Sequence, residues 1–493
     1  MAITKLKGKY VIGYEDSSHQ IYENGEVVFE SDSVIFVGHN YPYPVDQTYD
    51  TGNSIIGPGF IDLDALADLD STVLAFDNQP GWKKGRIPAS TWQRRETYTN
   101  AELDFSKKYA FAHLLLNGVT TALPITSILY REWAETYSEF MRAADIAEDI
   151  GIRAYLGPAY MSGHACVEPD GSFKMRFNEE KGMSGLHDAV RFVEQVNQGY
   201  SSRIQGMFAP DRIEGCTQLL LATTAEAVQD LGCPVRLHAC QGQFEVDMVE
   251  QRFPGLSSLD LISQSGLLSS HLLMPHAQFL GGKEPTSERV DQELSMFAEA
   301  GASAVVCPLV AGRHGKYIDS LTKFKAKKIN IGLGTDTFPP DFIQNMHIGT
   351  ILSRVTEGDI AAASAADYYN MATIGGADAI GRPDLGRLCR GAKADIVIFD
   401  LNSIHTGQCF DPITTLVING NGRDVKGVFV DGEMVVWDHQ LVRLNLDLSA
   451  LHYQAQQQFN RFMDTFPERS HKHPPRDEIF PPSFPLHRHE PFR

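Results

Sequence analysis

One pattern constrains this chain more than any other. Helix-forming stretches such as SKKYAFAHLLLNG (106–118) and SEFMRAADIAEDIG (138–151) end at glycine, and a short apolar segment follows each. The segments are VTTALPI (119–125), IRAYLGPAY (152–160), IQGMFAP (204–210), PVRLHAC (234–240), LLMPHAQ (272–278), SAVVCPL (303–309) and INIGLGTD (329–336). Glycine is the usual residue past a helix C-terminus, and strand alternating with helix implies a parallel sheet. With IIGPGFIDLD (55–64) as the first strand the count reaches eight, the number that closes a (β/α)8 TIM-like barrel. An open doubly wound sheet is the alternative, but no GxGxxG turn follows an early strand.

The two ends of the chain read differently. Short strands with Gly, Asn and Asp turns fill residues 1–57, and the texture returns in ADIVIFD (394–400) and VKGVFVDGEMVVWD (425–438), with Asp431-Gly432 at a hairpin turn. These segments predict a small composite β-sandwich domain built from 1–57 and 391–447 around a barrel at 58–390. Residues 448–493 predict a C-terminal helix and then, from about 466, an extended arm rich in proline and histidine. Its histidines offer metal ligands; wrapping the chain or contacting another subunit is the plainer role.

A formal net charge of −19, with no block of lysines or arginines, argues against nucleic acid or an anionic membrane as partner. No apolar leader and no spanning run of about 18 residues is present. Seven scattered cysteines include no CxxC pair, so neither a disulfide framework nor a cysteine zinc site is indicated. The expectation is a cytoplasmic protein with a small-molecule substrate.

In a parallel barrel, chemistry sits at the C-terminal ends of the strands. Those ends carry Asp62 and Asp64 on the first, Asp211 on the fourth, His238 on the fifth, His276 on the sixth and Asp336 on the eighth, with His164 just beyond the third. Converging imidazoles and carboxylates are what a divalent zinc, iron or manganese site requires. Each also has a plainer reading: His238 as a buried histidine bonded to a carbonyl, Asp336 as the cap of the next helix. Trp82, in DNQPGWKKGRIPASTW (77–92), lies on the long loop after the first strand, where loops shape substrate pockets or contact other subunits.

These residues resemble the amidohydrolase superfamily, in the branch of cytosine and guanine deaminases and triazine chlorohydrolases. IIGPGFID, LNGVTTAL, RLHA, LLMPHA, VVCP and GLGTD resemble its strand motifs in order, and NMATIGGADAIGRPDLGRLCRGAKADIVIFDL (370–401) its C-terminal signature. The resemblance spans about residues 5–445. It implies one divalent metal, zinc first, with iron or manganese as alternatives. His238 and Asp336 would be ligands, Asp336 also general base for the attacking water, and His276 would orient that water or polarise the substrate. It also implies a homodimer or larger homo-oligomer. The first strand departs from the family's His-x-His: Asp64 and Leu66 stand where the two histidines would. Gln241 replaces the proton-shuttling glutamate, with Glu245 four residues further on, and Asp211 replaces a substrate-contacting histidine.

Two readings follow. In the first, Asp64, His238, His276 and Asp336 hold a metal, and the chain hydrolyses a C–N bond or displaces a similar leaving group on a small nitrogen-containing compound. Gln241 contributes a hydrogen bond, and His164, Asp211 and Trp82 contact substrate. Two carboxylates would lower the Lewis acidity of a zinc ion and suit harder cations. In the second, the fold persists without metal as a binding protein, and Asp64, Asp211 and Asp336 make a negative pocket for a cationic ligand.

Overall fold

The computed structural model describes residues 2–68, 85–125, 128–444 and 446–487. Trp82 lies outside them. Eight parallel strands form the central sheet in the order expected of a barrel. They are Phe60–Leu66, Val119–Ile125, Arg153–Leu156, Ile204–Gly206, Val235–Arg236, Leu272–Pro275, Ser303–Val306 and Asn330–Leu333. First and eighth strands pair at Asp62 and Leu333. The ring closes between fourth and fifth, where the Arg236 N–H donates to Phe208 O at 2.9 Å and the Phe208 N–H to Pro234 O at 2.9 Å.

The helices between strands follow the glycine signals. Tyr137–Ile150 stops at Gly151 (φ 89°) and Ser287–Ala300 at Gly301 (φ 68°), both left-handed. A Cβ on Gly59 would lie 2.0 Å from Thr120 Oγ1, so glycine is what lets the first strand enter against the second.

Strands from both chain ends share the small domain. Ser54–Pro58 pairs with Ile396–Asp400 antiparallel and with Tyr10–Glu15 in parallel, inside a seven-stranded sheet. A four-stranded sheet of Ile3–Lys7, Glu26–Glu30, Ser33–Gly38 and Gln47–Asp50 lies against it. Leu6, Val27, Phe29, Ile56, Ile396 and Phe429 fill the space between. Arg153, fully buried on the third barrel strand, fastens the two parts: its Nε and Nη2 donate to the Asp395 carboxylate at 3.0 Å each, and Nη2 also meets Asp431.

The tail corrects the expected arm. Leu448–Met463 is a helix, and short helices Phe466–Arg469 and Arg476–Ile479 follow it. Phe462, Met463, Phe466 and Ile479 bury against Tyr130. Arg469, fully buried, donates to Leu129 O at 2.8 Å, and its carbonyl accepts the Ala89 N–H at 2.8 Å. One apolar residue from each short helix, Phe466 and Ile479, anchors the segment despite its prolines. Among the described residues no helix is long and apolar enough to cross a membrane.

Candidate active site

The aspartates of GPGFIDLDALAD do not face solvent: Asp62, Asp64 and Asp68 are all buried. Asp62 braces the ring, its carboxylate accepting from Thr335 N–H (3.1 Å), Thr335 Oγ1 (2.7 Å) and the Asp64 N–H (3.2 Å). Burial pushes its carboxyl up to about 7. Asp64, the next inward residue, points at the strand ends.

There Asp64, His238, His276 and Asp336 each offer an atom within 4.8 Å of the others, all four side chains buried. His238 Nε2 lies 3.5 Å from Asp64 Oδ2, and His276 Nε2 lies 3.8 Å from Asp336 Oδ2. His238 Nδ1 sits 3.0 Å from the Asp211 carbonyl. A carbonyl can only accept, so Nδ1 carries the proton and the Nε2 lone pair faces the cluster. Burial pushes His238 well below the usual imidazole value, with Arg212 and Arg236 adding to it, and brings His276 down to about 4. Both rings are neutral, as ligation requires.

The backbone is bent to aim these groups. His276 (φ 78°) and Asp336 (φ 57°) are in the left-handed region that side chains other than glycine avoid. The Asp336 N–H donates to Asp64 O at 2.6 Å, fixing the eighth strand end on the first.

His238 Nε2, His276 Nε2 and Asp64 Oδ1 are buried with no hydrogen-bond partner. The two imidazole nitrogens left unsatisfied around one point, with the Asp64 and Asp336 carboxylates beside them and Asp64 Oδ1 also facing Arg236 Nε, fit a divalent cation. Leu66 is buried at the strand end, with its N–H donating to Thr335 Oγ1 at 3.3 Å, and supplies no ligand.

The expected negative pocket is corrected by arginines. Arg236 Nε lies 3.3 Å from Asp64 Oδ1, while Arg236 Nη1 donates to Leu123 O and Pro124 O at 2.8 Å each. Arg212 Nε lies 3.9 Å from Asp211 Oδ2, and Arg212 Nη1 donates to Gln241 Oε1. Arg236 had a legible signal: it stands two residues before His238 on a strand, so both side chains share the inward face.

Above the cluster lies a cavity of about 300 Å3, walled by Ile87, Met161, Phe244, Phe279 and Val310 among others. Asp211, Gln241, His164 and His276 reach it, as does Arg86 from the long loop after the first strand, and so do Arg212, Glu214 and His314, which the strand-end reading passed over. Glu245 folds back onto backbone: its carboxylate accepts from Cys240 N–H (2.7 Å), Gln241 N–H (2.8 Å) and Ser258 Oγ. Burial first, and Glu245 next, push Glu214 up to about 8, and burial raises Glu245 as well, so the two carboxyls resist ionising together.

The family model that matches, over residues 85–435, is that of the amidohydrolase family. A 5-methylthioadenosine/S-adenosylhomocysteine deaminase of Pyrococcus abyssi is 23% identical over 426 residues, 85% of this chain and 91% of that protein. A 5′-deoxyadenosine deaminase of Methanosarcina barkeri is 24% identical over 456 residues, 90% of this chain and 95% of that protein. Among solved structures, an adenosine deaminase from Xanthomonas campestris with bound zinc superposes with a TM-score of 0.75 at 18% identity, covering 94% of this chain and 98% of that one. An atrazine chlorohydrolase from Arthrobacter aurescens TC1, complexed with zinc, gives 0.74 at 18% identity, covering 92% and 100%. The chain belongs to the amidohydrolase family, and with it to the hydrolases of carbon–nitrogen bonds.

Proposed function

We propose that this chain uses one divalent cation, zinc in the first instance, to remove an amine by hydrolysis from a small nitrogen heterocycle. Asp64, His238, His276 and Asp336 would hold the cation. The observation that carries the reading is that cluster, with its imidazole Nε2 atoms neutral, buried and unpartnered. The relatives named above, which act on adenine nucleosides by their names, support an aminopurine nucleoside as the first substrate class to test.

When bound, the cation supplies Lewis acidity to the attacking water. Asp336, in the cluster, would accept a proton from an attacking water, and His276 beside it would orient the electrophilic carbon's substituent. Gln241, held by Arg212, donates a hydrogen bond to the ring but moves no proton. Glu214, whose carboxyl burial pushes up and which lines the same cavity, would deliver a proton to the leaving amine. Arg236 beside Asp64 offsets the negative charge that two carboxylates bring, which preserves the electrophilicity of a cation there.

The test is metal analysis of the purified chain by mass spectrometry, with ammonia release from a panel of aminated purines and pyrimidines. One equivalent of metal, lost in Asp336→Ala together with turnover, supports the reading. A metal-free chain that binds the panel without releasing ammonia, before and after zinc addition, overturns it in favour of a binding protein.

A further inference from the structure

A second, smaller pocket of about 220 Å3 opens beside the main cavity, and His164 lines both. Trp92 and Trp133 form its walls, and Arg94, Arg176 and Lys181 bring positive charge to it. The His164 ring meets Trp133 edge-on at 5.2 Å, and the Lys181 ammonium lies 5.0 Å from the Trp133 ring.

The polar atoms here are unevenly satisfied. Trp133 Nε1 donates to Met161 O at 2.8 Å. Arg94 Nε donates to Glu132 O at 2.9 Å, and Arg94 Nη2 to Ile128 O and Arg131 O at 2.9 and 2.7 Å. Yet Trp92 Nε1, Arg94 Nη1 and His164 Nδ1 are buried with no hydrogen-bond partner. Each such group carries the cost of its lost hydration unless something arrives to pair with it. Trp92 Nε1 and Arg94 Nη1 can only donate, and His164 Nδ1 donates in one of its two neutral tautomers, so the unpartnered atoms of this cavity suit an acceptor.

The charge has the same sense. Arg176 and Lys181, at the rim, are ion-paired with Glu168 (3.0 Å) and Glu132 (3.5 Å). Arg94 has carbonyls, not a carboxylate, as its contacts, and among the described residues it has no ion pair within 4.0 Å. Carbonyls fix a guanidinium's position but leave its charge in place. The packed tail supports the same wall: Arg469, from the C-terminal segment, lies 5.1 Å from the Trp92 ring.

We propose that this pocket is an anion subsite, in which Arg94 Nη1, Trp92 Nε1 and His164 bind the oxygens of a carboxylate or phosphate. Its ligand is an anionic substituent of the molecule whose reacting part occupies the main cavity; that placement, though not the anion binding, rests on the hydrolase reading above.

Calorimetric titration of the full chain tests it, with acetate, inorganic phosphate and acetamide as small probes. A second pair, adenosine-5′-carboxylate and adenosine-5′-carboxamide, differs in charge but barely in shape. We expect acetate or phosphate to bind and acetamide not to. Trp92→Phe, which keeps the ring and removes one donor, should weaken anion binding about three- to tenfold, and Arg94→Met tenfold or more. Because Arg94→Met also loses three bonds to carbonyls, its thermal midpoint is checked, and Trp92→Phe carries the test if it unfolds. If the carboxylate nucleoside exceeds the amide in the wild type but not in Trp92→Phe, the anion is a substrate substituent. If the small anions bind without competing with that nucleoside, the same chemistry serves a free anion. Equal binding of acetate and acetamide, or anion binding unchanged in Trp92→Phe, overturns the subsite. None of these binding readouts needs turnover, so failure of the hydrolase reading would show separately, in the ammonia assay.

Discussion

Replacing Arg236 by methionine tests how the barrel tolerates an aspartate where it expects an imidazole. Asp64 is fully buried. Its other close contacts are His238 Nε2 at 3.5 Å and the Cys307 thiol at 3.6 Å. Burial keeps the first in its neutral form and pushes the second well above its usual value, so neither offers charge. Arg236, 3.3 Å away, does. At an effective dielectric of 20 a unit pair at that separation is worth about 5 kcal/mol, and removing one partner of a buried pair typically costs about 3–5 kcal/mol. Burial already pushes the Asp64 carboxyl up, so the variant escapes part of that cost by taking a proton. The expected result is a loss of about 3 kcal/mol in urea unfolding at neutral pH. The double variant D64N/R236M should recover at least half of it, since no uncompensated charge is left behind. Zinc added at a hundred times its dissociation constant returns about 2.7 kcal/mol to any form that binds it when folded. At one common zinc concentration it should stabilise R236M more than the wild type, because it brings charge to the same carboxylate and so binds that form more tightly. A single variant within about 1 kcal/mol of wild type, or a strictly additive double variant, would refute the account.

Three further outcomes are expected. Glu214, raised to about 8, holds its proton in the folded state through a range where the unfolded chain has lost it. Its stabilising contribution is therefore complete below the ordinary glutamate value near 4.5 and is lost as pH rises to about 8, at up to ~1.4 kcal/mol per pH unit. Glu214→Gln should flatten that fall in urea midpoints between pH 5 and pH 8, and an unchanged slope would count against it. Arg153→Met leaves Asp395 buried without its cation, while Asp431 keeps Arg203 and Lys393, and should cost about 3–5 kcal/mol in thermal or chemical unfolding; less than ~1 would show that the barrel and small domain are not fastened there. Gln241→Glu puts a proton-carrying group beside Arg212 and should raise the rate of ammonia release tenfold or more, measured as kcat; an unchanged kcat would assign proton transfer to another residue.

How much of this was legible depends on whether the deciding interaction lies near in sequence. The barrel was: apolar segments after glycine-capped helices are local signals, and strand ends follow once eight strands are counted. The strand-end residues Asp64, His238, His276 and Asp336 came together because a closed ring leaves inward side chains at its mouth nowhere else to go. The tail was misread because proline and histidine content is a local property, whereas the burial of Phe466 against Tyr130 joins residues over three hundred positions apart. Glu214 escaped for the same reason. Nothing in DRIEG marks it as buried beside Glu245, and burial is what changes its chemistry.

The arginines carry the larger lesson. Counting acids at the strand ends implied a pocket of one sign, but a low-dielectric barrel mouth cannot hold Asp64, Asp211 and Asp336 ionised without nearby compensation. Two of those acids do have a guanidinium close by, Arg236 at 3.3 Å and Arg212 at 3.9 Å, and both cations come from the same short strands or turns that supply the site. The aspartate at position 64 and the arginine at position 236 thus act as one unit in physical terms. The carboxylate brings a charge that the barrel mouth must neutralise, and the guanidinium two residues before His238 is placed on the one face from which it can do so. A search for the motif that a chain lacks is better joined to a search for the charge its replacement demands.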